Sequence, residues 1–240
     1  MKGAWLIARR EFGAYARSPL GSIIIAVALL LNGILFYADA LTEQMLSGEA
    51  LQRFFFNASG VTTVAALLLS FRLIAEERQT KTFTLLNTSP VSDREIIIGK
   101  FISAFAMVAL LTVLSFYMPL LLHISGKVSL GHIAVGYLGL FLIGAAATAI
   151  GLFASTLTRH QVIAVIIGAV IIGLMFIMWM IAKVADPPVN EFVSAMAFHH
   201  INFQPFQFGI LELQGVAYYL AVTYFFLLAA IKVLEARRWR

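Results

Sequence analysis

Four histidines, His123, His132, His199 and His200, are the side chains best suited by type to metal binding or proton transfer. No acidic or imidazole partner accompanies them at ligand spacing. Adjacent residues on a helix point about 100° apart, so His199 and His200 would suit a single ion poorly. Structural imidazoles are the expectation, with no metal centre. A phosphate cradle needs Gly-x-x-x-x-Gly-Lys-Ser/Thr, so that backbone amides face the phosphates. Gly99-Lys100 has Arg94 in place of the first glycine and Phe101 in place of the hydroxyl. Gly126-Lys127 has Leu121 and Val128 at those positions. The absence of cysteine removes thiolate nucleophiles and thiolate metal sites. No Ser-His-Asp arrangement or carboxylate pair emerges either. The chain is therefore expected to carry no catalytic residue and to bind no cofactor of its own.

The remaining charge is sparse and localised. Of 240 residues 61% are hydrophobic and only 12% charged, about half the charged share of a soluble domain. Lipid must be the solvent for so much apolar side chain. Six runs can cross about 30 Å of hydrocarbon: Leu20–Ala38, Asn57–Ala75, Phe101–His123, Ile133–Leu157, Val162–Lys183 and Val216–Leu234. Their length and interspersed glycines predict helices rather than barrel strands. None holds an ionisable side chain at mid-depth, which disfavours both an intramembrane protease and a proton-coupled carrier. Asn32, Thr112, Ser115 and Thr148 are expected to hydrogen-bond within the bundle.

Loop charge sets an orientation. With the N-terminus inside, 14 of the 17 Lys and Arg residues fall on the cytoplasmic side and only Arg53, Lys127 and Lys183 on the other. The positive-inside rule therefore predicts both termini in the cytoplasm and an inner-membrane location. The net charge of +5 is accounted for in this way, and no basic groove with interleaved aromatics suggests nucleic acid. Arg9-Arg10-Glu11-Phe12 resembles part of a twin-arginine export signal, with Ala38-Asp39-Ala40 as a cleavage site. Arg17 and Pro19 interrupt that pattern, and the apolar run exceeds a signal h-region. Residues 1–18 are read instead as an amphipathic helix on the inner membrane surface, with Trp5, Ala8, Phe12 and Tyr15 on one stripe. Residues 185–214 begin with Asp186-Pro187-Pro188 and are too interrupted to cross twice. They are expected to form short outer interfacial or re-entrant helices, with Phe198, Phe203, Phe206 and Phe208 as an outer gate or headgroup anchor. A single transmembrane domain over 1–240 accounts for every segment.

The segment from Glu76 to Lys100 differs in character from the rest. Its first half can prolong the second span as a helix, and Ser89-Pro90 must stop it, because a residue preceding proline avoids the α region. Ser92-Asp93-Arg94-Glu95 then has the pattern of a capping box, so a new helix starts there. The result is a charged cytoplasmic hairpin with a small apolar tip around Phe83 and Leu86.

The run Ile74-Ala75-Glu76-Glu77-Arg78, Thr82, Leu85-Leu86, Ser89-Pro90-Val91-Ser92, Glu95-Ile96 and Gly99-Lys100 resembles the signature of type-2 ABC-transporter permeases. It differs at Lys81, where the family usually has glycine, and at Thr84, where it has an acidic residue. Gly151-Leu152-Phe153-Ala154-Ser155, Arg159-His160-Gln161 and Ala164 are similar to the family's turn between spans four and five. Gly209–Leu213, Tyr218-Tyr219-Leu220 and the Leu234–Arg240 tail look like the gliding-motility and nitrous-oxide-reductase-maturation branch.

The resemblance implies an all-α permease that dimerises with the same or a homologous chain and uses two separate ABC ATPase subunits. ATP and magnesium would bind in those partners. Residues implied at the ATPase contact are Glu77, Arg78, Thr82, Phe83, Leu86 and Pro90, with Arg159 and His160 secondary. Two alternatives remain open from sequence. One is a mechanotransmitter that passes ATP-driven motion to a periplasmic accessory protein without moving cargo. The other is a membrane scaffold or channel unconnected to ATP.

Overall fold

The structure is a computed structural model that describes residues 2–41, 46–80, 92–126 and 128–238. The described residues are mainly helical, with no strand among them. Six helical segments among them are long and apolar enough to cross a membrane, so the chain is an all-α, multi-pass membrane protein.

The first two helices are α1 (Lys2–Arg17) and α2 (Pro19–Leu35). Pro19 sits at the first turn of α2, where its missing amide costs nothing. A π-helical turn, Phe36–Leu41, prolongs α2. The second span is α3 (Ser47–Ser70) followed by α4 (Arg72–Gln79), with a break at Phe71. The third is α5 (Asp93–Leu114) followed by α6 (Tyr117–Ser125). Proline 119 explains that break. It has no N–H for the Ser115 carbonyl, which instead accepts from the Met118 amide at 3.1 Å. Next come α7 (Leu130–Leu157) and α8 (Gln161–Ala182), then the short α9 (Val189–Ala195) and α10 (Gln204–Gln207). The last span is α11 (Leu213–Arg238).

Each expected span is present, most of them longer than read from hydropathy. The second begins at Ser47 rather than Asn57, because its first turns bury Ala50, Leu51, Phe54 and Phe55 against protein. Helix α7 is the centre of the bundle. Leu140, Ile143, Ala147, Ile150 and Leu152 are fully buried there, and α3, α5, α8 and α11 pack round it. Small residues allow the approach: a Cβ on Gly139 would lie 2.7 Å from the Phe206 Cβ. By contrast only 17% of α8 and of α11 is buried, so both present apolar surface outward.

The polar residues of the spans bond largely inside the bundle. The Thr112 and Thr148 hydroxyls donate to the carbonyls of Val108 and Gly144 at 2.9 and 2.7 Å. Ser115 donates to Thr112 and meets the Tyr137 hydroxyl at 3.1 Å. Asn32 is 3% exposed, and its Oδ1 has no hydrogen-bond partner.

Candidate functional site

At the end of the bundle that carries the termini, charges from three helices converge. Lys100 lies in the second turn of α5, only 1% exposed. Its Nζ donates to Glu77 Oε1 of α4 at 2.8 Å and lies 3.6 Å from Glu11 Oε1 of α1. Arg10 stands 2.7 Å from Glu11 and 3.7 Å from Glu77. Two cations and two carboxylates therefore alternate round one point. Burial alone would push the Glu11 carboxyl up, but Lys100 and Arg10 outweigh it and hold the group below its ordinary range.

Local sequence explains why α1 comes close enough. A Cβ at Gly99 would lie 2.6 Å from the Ala4 carbonyl oxygen and 2.8 Å from the Ile7 Cβ. The missing side chain lets Ala4, Ile7, Ala8 and Tyr15 bury themselves against the bundle. The stripe read from sequence is thus divided: Ala8 and Tyr15 face protein, while Trp5 and Phe12 remain 65% and 37% exposed. Tyr15 donates to the Leu69 carbonyl at 2.6 Å, and the Arg72 guanidinium sits 4.5 Å over its ring. Arg72 also approaches Glu76 at 3.8 Å. Between these groups is a polar cleft of about 170 Å³.

Helix α4 is fastened equally well to α7. The amides of Ile74 and Ala75 both donate to Ser155 Oγ, at 3.0 and 2.9 Å. These are amides that the break at Phe71 would otherwise leave poorly paired. The Arg78 guanidinium donates to the Thr156 carbonyl at 2.5 Å, near the C-terminus of α7, where cations are favoured. A cleft of about 550 Å³ between Gln79 and His160–Ile163 separates the end of α4 from the α7–α8 turn. The structure therefore brings α4 and the exposed Arg159-His160 turn to one end of the bundle. It engages Glu77 and Arg78 with groups of this chain. Thr82, Phe83, Leu86 and Pro90, like Lys81 and Thr84, lie outside the described residues.

The returning arm starts as its sequence indicates. Ser92 Oγ accepts from the Glu95 amide at 3.3 Å, and the Ser92 amide donates to Glu95 Oε2 at 3.4 Å. Arg94 approaches Glu235 of α11 at 3.9 Å. The burial of Lys100 and Glu11 was not apparent from the sequence; Gly99, the small residue beside a lysine in an apolar run, was the available signal.

At the opposite end, Phe198, Phe203 and Phe206 are fully buried and Phe208 is 46% exposed. The first three pack as core residues: Phe198 lies edge-on to Tyr219, whose hydroxyl donates to the Phe198 carbonyl at 2.6 Å. Each of the four histidines has its own partner. His123 Nδ1 meets the Val128 carbonyl at 2.7 Å, and His132 Nε2 the Gln207 carbonyl at 2.6 Å. His199 is buried 2.7 Å from Ser59 Oγ, and His200 stacks on Trp179. Among the described residues no three His, Asp or Glu side chains converge as a metal would require. An apolar cleft of about 540 Å³ runs between α2 and α3, with Phe176 and His199 among its lining residues.

Six helices long and apolar enough to span, with a charged helical arm fastened at the end that carries the termini, define a polytopic membrane protein. The family model for ABC-2 family transporter proteins matches residues 5–234, and the chain belongs to that family. It is the membrane-spanning permease component of an ABC transporter, and the ATPase is a separate component. Such permeases associate with ABC ATPase subunits. No curated protein matches the chain.

Proposed function

We propose that this permease sits in a bacterial inner membrane with both termini in the cytoplasm, pairs with a second permease, and couples to two ATPase subunits through the Glu76–Lys100 hairpin. The observation that carries this reading is the double fastening of α4, to α1 and α5 through Lys100 and to α7 through Ser155 and Thr156. A hairpin held only by its chain ends would move without moving the bundle. Fastened in this way, its displacement is delivered to the central helix and to the helix that leads into the first span. Closure of the ATPase subunits on ATP would tilt the hairpin and rearrange the apolar faces of α2, α3 and α8, exporting or moving a substrate between paired permeases. Phe83, Leu86, Thr82 and Pro90 supply the contact, Glu77 and Arg78 its base, and Arg159-His160 a secondary contact. Trp5 and Phe12 of α1 rest at the inner membrane surface, and residues 185–214 cap the outer end. The likeness of the Gly209–Leu213 and Leu234–Arg240 segments supports a place in the gliding-motility and nitrous-oxide-reductase-maturation branch.

The test is co-purification of the cognate ABC ATPase subunit, with Phe83→Asp and Leu86→Asp introduced together. A charged tip should reduce co-purification and permease-stimulated hydrolysis by at least roughly tenfold, while membrane insertion is unchanged. Retention of the ATPase at the level of the unaltered chain would overturn the assignment.

A further inference from the structure

The apolar cleft of about 540 Å³ between α2 and α3 has one polar end. Its wall runs from Ile23 to Leu35 on α2 and from Phe56 to Leu68 on α3. Each stretch rises about 18 Å at ~1.5 Å per residue, a little over half of the roughly 30 Å hydrocarbon core. Among the described residues no charged side chain lines it. His199, only 7% exposed, lies at the Phe56 end, opposite the termini. Aromatic rings hold its imidazole in place: Phe176 stacks on it at 5.5 Å, Phe203 lies 5.0 Å away and Phe56 meets it edge-on at 5.3 Å. Ser59 Oγ donates to the Phe56 carbonyl at 2.6 Å, so it accepts from His199 Nε2 at 2.7 Å. Gln207 Nε2, 3.5 Å from the same nitrogen, is at the outer limit of a hydrogen bond. With the ring proton on Nε2, and burial favouring the neutral ring, Nδ1 is an acceptor. It has no hydrogen-bond partner among the described residues. Unlike Asn32 Oδ1 it keeps accessible surface, and the ring forms part of the cleft wall. An acceptor in an apolar cleft without a donor costs free energy that a bound donor recovers.

We infer that this cleft binds a long-chain lipid with an uncharged hydroxyl head, its O–H donating to His199 Nδ1 and its chain lying along α2 and α3 towards Ile23. The head must donate, because an ether or ester leaves Nδ1 unpaired. It must also be uncharged, because an ionic head would find no counter-ion on the wall. The length favours a lipid over a helix of a second copy: a spanning helix needs about 30 Å, and the cleft suits the chain of one leaflet. Lipid can enter from the side, where Val27 and Val64 on the wall are 49% and 58% exposed.

Three probes with one chain separate the parts of this assignment. Hexadecanol has a neutral donor, hexadecyl methyl ether a neutral head without a donor, and hexadecyl phosphate an anion. The full-length protein, purified in detergent, would be loaded with each and the retained adducts counted by native mass spectrometry. The alcohol should be retained about tenfold more tightly than the ether or the phosphate. His199→Leu should abolish that preference. Gly60→Leu should weaken all three probes: Gly60 lines the cleft, and a Cβ there meets nothing within 4 Å, so the new side chain enters the cleft without displacing α3. Unchanged thermal unfolding would show that the variants fold, and Gly60→Leu decides alone if His199→Leu does not. Equal retention of alcohol and ether, or a preference that survives His199→Leu, would overturn the inference. Retention unaffected by Gly60→Leu would put the lipid outside the cleft and overturn it as well. None of these readouts involves the ATPase.

Discussion

Lys100 Nζ of α5 lies 2.8 Å from Glu77 Oε1 of α4, with the lysine side chain only 1% exposed. An ammonium this deeply buried is tolerable only because carboxylates surround it. Glu11 is the second of them, at 3.6 Å. The pair joins α4 to α5, and Glu11 adds the first helix to the joint.

Lys100→Met should therefore leave Glu77 and Glu11 close together without the buried ammonium that joins them. The expected loss is on the order of 3 kcal/mol, because breaking a buried pair strands its partner charge. Adding Glu77→Gln to Lys100→Met should restore part of that loss. Thermal unfolding of the four proteins in detergent measures both effects, and strict additivity would show that the two side chains are not coupled.

Ser155→Ala removes the one hydroxyl that accepts from both Ile74 and Ala75. Two amides lose their partner, at a cost of about 1–3 kcal/mol each if no water replaces it. Hydrogen exchange should accelerate at residues 74 and 75 more than elsewhere in α3 or α4. Uniform protection along the segment would count against the proposed fastening of α4.

His199 supplies a pH dependence. Burial, with His200 adding in the same direction, pushes its imidazole down from the ordinary 6.5 to about 4. Between those values the unfolded chain takes up a proton that the folded site refuses. Stability present above pH 6.5 should accordingly fall as the pH drops towards about 4, and level off below that for this group. In His199→Gln, which keeps a polar partner for Ser59 Oγ, this slope should be flatter in melting temperature plotted against pH.

Gly139→Ala would place a methyl group 2.7 Å from the Phe206 Cβ and 2.8 Å from its Cγ. Neither the backbone of α7 nor the buried ring can retreat cheaply, so a loss of about 1–3 kcal/mol is expected. Phe206→Leu in the same chain should recover part of it. Limited proteolysis between residues 183 and 212 would report whether the segment has loosened.

Several of these elements were legible in the sequence because their causes are local. Six apolar runs of spanning length must be helices in lipid, since only a helix pairs every backbone group within its own segment. The capping box at Ser92 and Glu95 needs only a three-residue spacing, and it forms as read. The transporter class is legible for the same reason, because the matching residues recur along the chain as short local runs.

What only the tertiary structure decided is which polar groups meet. Lys100 and Glu77 are 23 residues apart, and Ile74 and Ser155 are 81 apart. No local period encodes those pairings; they follow from how closely α1, α4, α5 and α7 can approach at small residues. The stripe of Trp5, Ala8, Phe12 and Tyr15 shows the same limit. Helical spacing placed all four on one side, but the notch at Gly99 turned α1 so that only Ala8 and Tyr15 entered the protein. By itself the sequence determined six apolar runs of spanning length and a charged segment between the second and third of them. Packing determined that α4 and α5 are joined there through a buried lysine, with α1 at the same joint.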